Sequence, residues 1–267
     1  MQPKVYEVND TRKKAVVVTP QTLFTGQQLV WLPACASTNA EAQTLIVQNR
    51  ASEGCTVITD FQTAGRGQRG NQWTAAPAEN LMLSVVWQPA FLAATEQFRL
   101  SQAVALGIHD WATALLGPGP QLKLKWPNDL YYADQKLGGV LIENTLKGVK
   151  IQYSIIGIGL NINQQDFALP KATSLSRVTG RAYDRTTLAA RLLECLEGRY
   201  LQLRAGQVGR LRHDYLQALY RYQEVHPFLI DGREVSGQIV GVEEDGRLAV
   251  AIGNELRRFG MQEIRHV

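Results

Sequence analysis

Four short blocks of the chain carry residue types that could do chemistry. Residues 64–70 read AGRGQRG, with Trp73 close behind. Glycines at 65, 67 and 70 let backbone amides turn toward an anion, and Arg66 and Arg69 add planar cations suited to carboxylate or phosphate. The run lacks the GKS or GKT ending of a phosphate loop and does not open a helix as a dinucleotide fingerprint does. Residues 125–130, KWPNDL, set Lys125, Asn128 and Asp129 at a strand end, and Lys136 follows just before Gly138 and Gly139. Such a set clamps a negatively charged reacting group and helps to hold a divalent metal, with Lys136 reaching the same space from a paired strand. In residues 157–163, GIGLNIN, the missing side chains of Gly157 and Gly159 let a ligand approach the backbone, and Asn161 stands at the polar exit. The fourth block, Ser37, Thr38 and Asn39, offers two hydroxyls and an amide at the start of a helical pattern.

Each block also has a plain structural use: a solvated loop, a turn after proline, a bulged strand, a helix cap. The surrounding pattern says which elements would position them. Thr38 with Glu41 reads as a capping box, and Ala42, Leu45 and Ile46 supply an apolar helix face. Residues 56–61 read as a buried strand leading into the glycine-rich loop. Residues 81–87 are apolar on both faces, a strand covered on both sides, and Pro89 ends it. Leu100, Val104, Ile108, Trp111 and Leu115 make an amphipathic helix that stops at Gly117. Leu122, Leu124 and Trp126 alternate with Lys123 and Lys125 in a half-buried strand, answered by a returning strand over 136–143 and a long strand over 151–162. Further helices are expected over 186–203 and 208–222. After about residue 224, short strands separated by Asp231-Gly232, Asp245-Gly246 and Gly253-Asn254 have the spacing of hairpins. The expected fold is α+β: a mixed β-sheet with packed helices followed by a small β-barrel.

Composition narrows the class. The 267 residues allow one large domain or a medium domain with a small appendage, and 28 basic against 24 acidic residues give a formal charge of +4, too dilute for a nucleic-acid stripe. Cys35, Cys55 and Cys195 are far apart and form no CxxC pair, which argues against a disulfide framework or a zinc cluster. No stretch has the length of a membrane span and the start has no signal-peptide core, so a cytoplasmic location is expected.

Taken together and in order, Ser-Thr-Asn, GRGQRG with its following Trp, KWPNDL, KLGG and GIGLNIN resemble the biotin–protein ligases, over about Val30 to His266. The resemblance implies a class II biotin/lipoate ligase-like catalytic domain with an SH3-like barrel behind it, divided here as an extension over 1–27, a catalytic unit over 28–222 and a C-terminal unit over 223–267. It implies an enzyme that joins biotin and ATP, with Mg²⁺, into biotinyl-5′-AMP and then passes the biotinyl group to a lysine of a biotin carboxyl carrier protein. By the same resemblance Ser37, Thr38, Asn39 and Gln62 contact the ureido head of biotin. Arg66, Gly67 and Gln68 fold over biotin and the adenylate, and Gly139 and Gly159 floor the site. Lys136 meets the carboxylate and then the acyl-phosphate bridge. Arg69, Trp73, Lys125, Asn128, Asp129 and Asn161 border the nucleotide, Trp73 as a brace for the loop. Asp129 is the candidate magnesium ligand, and Lys136, Arg66 and Asp129 are the candidate catalytic set.

Two departures from the family pattern stand out. Gln68 replaces the arginine that many relatives carry, which removes one charge from the grip on the adenylate. Only about 36 residues precede Ser37, and none pattern as recognition helices, so a monofunctional ligase with no DNA partner is expected. An exposed sheet edge in such enzymes serves a homodimer or the carrier. The rival readings are a lipoate or octanoate ligase, against which KWPND with KLGG argues, and a non-catalytic biotin or nucleotide module, against which Lys136 and the loop arginines argue. RNA binding by the terminal barrel has only the scattered Arg247, Arg257 and Arg258 behind it.

Overall fold

A strand with no exposed residue must sit between two layers, and Leu81–Trp87 is buried at every position. In the computed structural model, which describes residues 4–5 and 18–267, this strand (β4) is central to an eight-stranded sheet. The other strands are β1 (Lys4–Val5), β2 (Gln28–Leu32), β3 (Thr56–Thr59), β5 (Leu122–Lys125), β6 (Asp129–Tyr132), β7 (Gln135–Lys147) and β8 (Lys150–Leu160), in the spatial order β1-β2-β3-β4-β8-β7-β6-β5. The first three pair in parallel and the rest are antiparallel.

The two-residue period of β4 sorts its side chains. Leu81, Leu83, Val85 and Trp87 join the main core with helices α2 (Gln97–Leu116), α4 (Arg185–Arg204) and α5 (Val208–Ala218). Val86 joins a smaller cluster under α1 (Thr38–Val47), with Ala42, Cys55, Val57 and Ile155. Ser84 points to that same second face, where α1 begins. Stacking of Trp87 on Tyr200, with ring centroids 4.2 Å apart, ties β4 to α4. Ahead of β2, the buried Glu197 carboxylate of α4 accepts three backbone N–H groups, from Leu23, Phe24 and Thr25 at 2.6–3.0 Å.

The C-terminal strands β9 (Val225–Ile230), β10 (Arg233–Val242), β11 (Leu248–Ile252), β12 (Glu255–Phe259) and β13 (Arg265–His266) form a second, antiparallel sheet in the order β12-β11-β10-β9-β13. Asp231 and Gly232, with φ of 49° and 75°, close the first hairpin in the doubly positive geometry that matches strand twist. The second sheet is fastened to the first: Phe228, Ile239 and Phe259 belong to the main core, and the Trp126 indole donates to Gly246 O at 2.9 Å. The fold is thus α+β, a mixed sheet with packed helices plus a small antiparallel sheet.

Three local expectations change. The helix expected over 208–222 stops at Ala218, because Leu219 turns extended and Tyr220 N–H bonds to Leu124 O at 2.8 Å, beside β5. The capping box does not form: Ser37 is the N-cap, it makes no side-chain cap, and Thr38 is turned to other partners described below. The strand expected to Ile162 ends at Leu160, and a short helix α3 (Leu175–Thr179), absent from the sequence reading, follows. Most of the extension expected over 1–27 lies outside the described residues; Val18 within it is buried. No helix among the described residues is long and apolar enough to cross a membrane.

Candidate active site

The second face of the sheet opens into a cavity of about 520 Å³. Its floor is the paired run of β7 and β8, where Gly139 faces Gly159 and Leu141 faces Gly157. Ser37, Thr38 and Asn39 enter from the start of α1, and Gln62 from just after β3. Arg66, Gly67, Gln68, Asn71, Gln72 and Trp73 form the loop over it, while Asn128, Asp129 and Lys136 stand at the far wall.

The polar groups at the inner end are tightly organised. Gln62 Oε1 accepts from Thr38 N–H at 2.8 Å and lies 3.3 Å from the Thr38 hydroxyl. Ser84 Oγ lies 2.7 Å from Thr38 Oγ1 and 2.6 Å from Asn39 Oδ1. Asn39 Nδ2 donates to Glu143 at 2.6 Å. A carboxylate in an ion pair only accepts, so the amide must present its nitrogen there and its oxygen to Ser84. The result is a fixed set of short hydroxyls and amides, chemistry that suits a neutral ligand head with both donors and acceptors.

The glycines prove to make room for the protein's own side chains. A Cβ on Gly157 would fall 2.4 Å from Asn39 Oδ1, and one on Gly159 would fall 2.5 Å from the Trp73 indole, which lies on the floor with its buried N–H unpartnered. Within the loop, Gly67 N–H bonds to Asn71 O at 2.7 Å and Trp73 N–H to Gly65 O at 3.0 Å, so these two amides serve the loop itself. Charge at the anion end comes from side chains. Lys136 Nζ is 2.7 Å from Asp129 Oδ1, and Gly139 leaves space beside both. That contact is an ion pair without hydrogen-bond alignment, since the buried Asp129 Oδ1 accepts no hydrogen bond. Arg66 bonds Glu143 at 3.0 Å.

Two expected residues lie outside the cavity. Lys125 is held behind it, 3.3 Å from Tyr131 OH and 4.6 Å from the centroid of that ring, where burial lowers its pKa. Asn161 is buried and donates to Thr173 O at 2.9 Å, bracing the segment beside Lys136. Asn128 lines the wall but spends its amide on Val140 O at 2.6 Å. The side chain of Arg69 lies outside the described part of the structure. Sequence reasoning missed Ser84 and Glu143, although a lone serine in an apolar strand and an acid in step with Gly139 and Leu141 were both visible signals. It also missed Met261 and Gln262, in the turn between β12 and β13, and Arg265 of β13, which line the cavity.

This arrangement lies within residues 31–161, which match the model of the biotin/lipoate A/B protein ligase family, except for the contribution of the second sheet. A biotin–[acetyl-CoA-carboxylase] ligase of Mycobacterium tuberculosis is 32% identical over 244 residues, 90% of either chain. The chain belongs to the biotin/lipoate A/B protein ligase family. A bifunctional ligase/repressor BirA of Bacillus subtilis is 36% identical over 188 residues, a match that takes in 67% of this chain and 56% of that protein. Among solved structures, a biotin protein ligase from Aquifex aeolicus in complex with biotin and ATP has the same fold, with a TM-score of 0.74 at 24% identity over 90% of this chain and 99% of that one.

Proposed function

We propose that the chain is an ATP-dependent biotin–protein ligase, with residues 28–222 as its catalytic unit and 223–267 as an SH3-like unit. The observation that carries this reading is that Ser37, Thr38, Asn39 and Gln62 share one cavity with Arg66 and Lys136. In the first half-reaction a biotin carboxylate oxygen bonds to the α-phosphorus of ATP and the bond to pyrophosphate breaks. Two anions must meet, so catalysis requires cations placed in advance. The Lys136 ammonium is paired with Asp129 by charge alone, which leaves its three protons to donate to the carboxylate and the phosphate. Asp129 aims it and Arg66 covers the outer side. In the second half-reaction a carrier lysine amine attacks the acyl carbon and AMP leaves.

Asp129 is the one carboxylate among the described residues that line the cavity, and with Oδ1 paired to Lys136 its other oxygen is the one that would hold a magnesium ion taking most of its ligands from phosphate and water. Such an ion, held by Asp129, would neutralise polyphosphate charge. The partner is a biotin carboxyl carrier domain, and the reaction belongs in the cytoplasm.

The test is incubation with biotin, ATP and Mg²⁺, followed by mass spectrometry for biotinyl-AMP and for a gain of biotin on a carrier-domain lysine. Formation of an adenylate with lipoate but not with biotin would overturn the assignment.

A further inference from the structure

We infer that Glu143 is a positioning residue that couples the head-group end of the cavity to the arginine of its covering loop, an inference that rests on the ligase reading above. One oxygen, Glu143 Oε2, accepts both from Asn39 Nδ2 at 2.6 Å and from Arg66 Nη2 at 3.0 Å. Asn39 is itself tied through Oδ1 to Ser84 in β4, so a chain of hydrogen bonds runs Ser84, Asn39, Glu143, Arg66 from the centre of the sheet to the loop. Glu143 belongs to β7 opposite Ile155, on rigid backbone, whereas Arg66 belongs to a loop and its side chain is 48% exposed. Of the five N–H donors of that guanidinium, the structure pairs one, and the remainder are left to meet carboxylate or phosphate in the cavity. Removing Glu143 releases a long side chain to many rotamers and leaves Asn39 Nδ2 with only the distant Leu141 O, at 3.5 Å.

The carboxylate and the amide isostere separate the two bonds. In Glu143→Gln an oxygen still accepts from Asn39 but the charge that holds Arg66 is gone; in Glu143→Ala both are lost. The experiment is measurement of biotin affinity and of the decay of enzyme-bound biotinyl-AMP in wild type, E143Q, E143A, R66A and E143Q/R66A. The pair with Arg66 is half exposed, so E143Q should lose adenylate roughly three- to tenfold faster with biotin affinity nearly intact, and E143A should weaken both. Adding R66A to E143Q should cost much less than R66A costs alone, a non-additivity that a scaffold role for Glu143 does not produce. Adenylate decay in E143Q equal to wild type, or full additivity of the two changes, overturns the inference. A wild type that forms no biotinyl-AMP overturns the functional reading and the inference with it.

Discussion

On the proposed reaction Lys136 carries the heaviest demand of any side chain in the site, because it stands on the cavity wall with its ammonium held beside Asp129. Lys136→Ala should lower kcat/KM for adenylate formation by about 10²–10³-fold, the cost typical of removing one preorganised charge-stabilising donor, while the thermal midpoint moves little. A stopped pyrophosphate-release assay beside a melting curve checks both halves. Gly157→Ala acts at the other end: its methyl would displace Asn39, and overpacking of about 1–3 kcal/mol should appear as weaker biotin binding by calorimetry. At this scale the sequence announced residue types well and partners poorly. Gly157 and Gly159 were legible as places of close approach, but not that Asn39 and Trp73 make it. Lys125 was expected beside the nucleotide; strand alternation combined with the Tyr131 and Tyr220 rings turns it away from the cavity.

Elements were more legible than partners, since hydrophobic period and punctuation are local. The helix ending at Gly117, the long β7 and β8 strands and the Asp231-Gly232 hairpin follow from them. The end of α5 does not, because a tertiary bond from Tyr220 to β5 decides it. Nor did the N-cap of α4 enter the sequence reading, although Asp184 sits one residue before Arg185. Its carboxyl is held down to about 2 by hydrogen bonds from Thr186 and Thr187, and its oxygens accept their backbone N–H groups. Asp184→Ala should cost about 1 kcal/mol in urea unfolding without changing KM for biotin. The loop over residues 63–73 is tied at its start to Cys35 and Ala36 and through Arg66 to Glu143, and its other described backbone bonds stay within it. Its amides should gain protection from hydrogen exchange when biotin and ATP are added, as expected of a cover that shields an adenylate from water. Equal protection with and without ligands would show that it does not act as a cover.

At the level of the whole molecule, stability should depend on pH through the seam between the two sheets. His266 of β13 packs among Phe228, Tyr220 and His226, and burial, with Lys125, His226 and Arg221 nearby, pushes its pKa down to about 3. The unfolded chain, with an ordinary imidazole pKa near ~6.5, binds the proton first. Stability is therefore full above that value and falls as pH drops from it toward 3. His109, lowered by its own burial, adds a term of the same sign. Thermal midpoints recorded from pH 7 to 4.5 should fall in wild type and fall less in His266→Phe. The general architecture was legible from the change of texture near residue 224, but the contribution of the second sheet to the cavity was not, since nothing local in Met261, Gln262 or Arg265 marks a ligand site. That contribution also sets an order in time. A chain emerging from the ribosome has made every residue from Ser37 to Asn161 long before it makes Met261, so its site lacks a wall while the ligase motifs are already complete. On the proposed reaction, a product stopped after the motifs but before β13 should form biotinyl-AMP poorly although every motif is present.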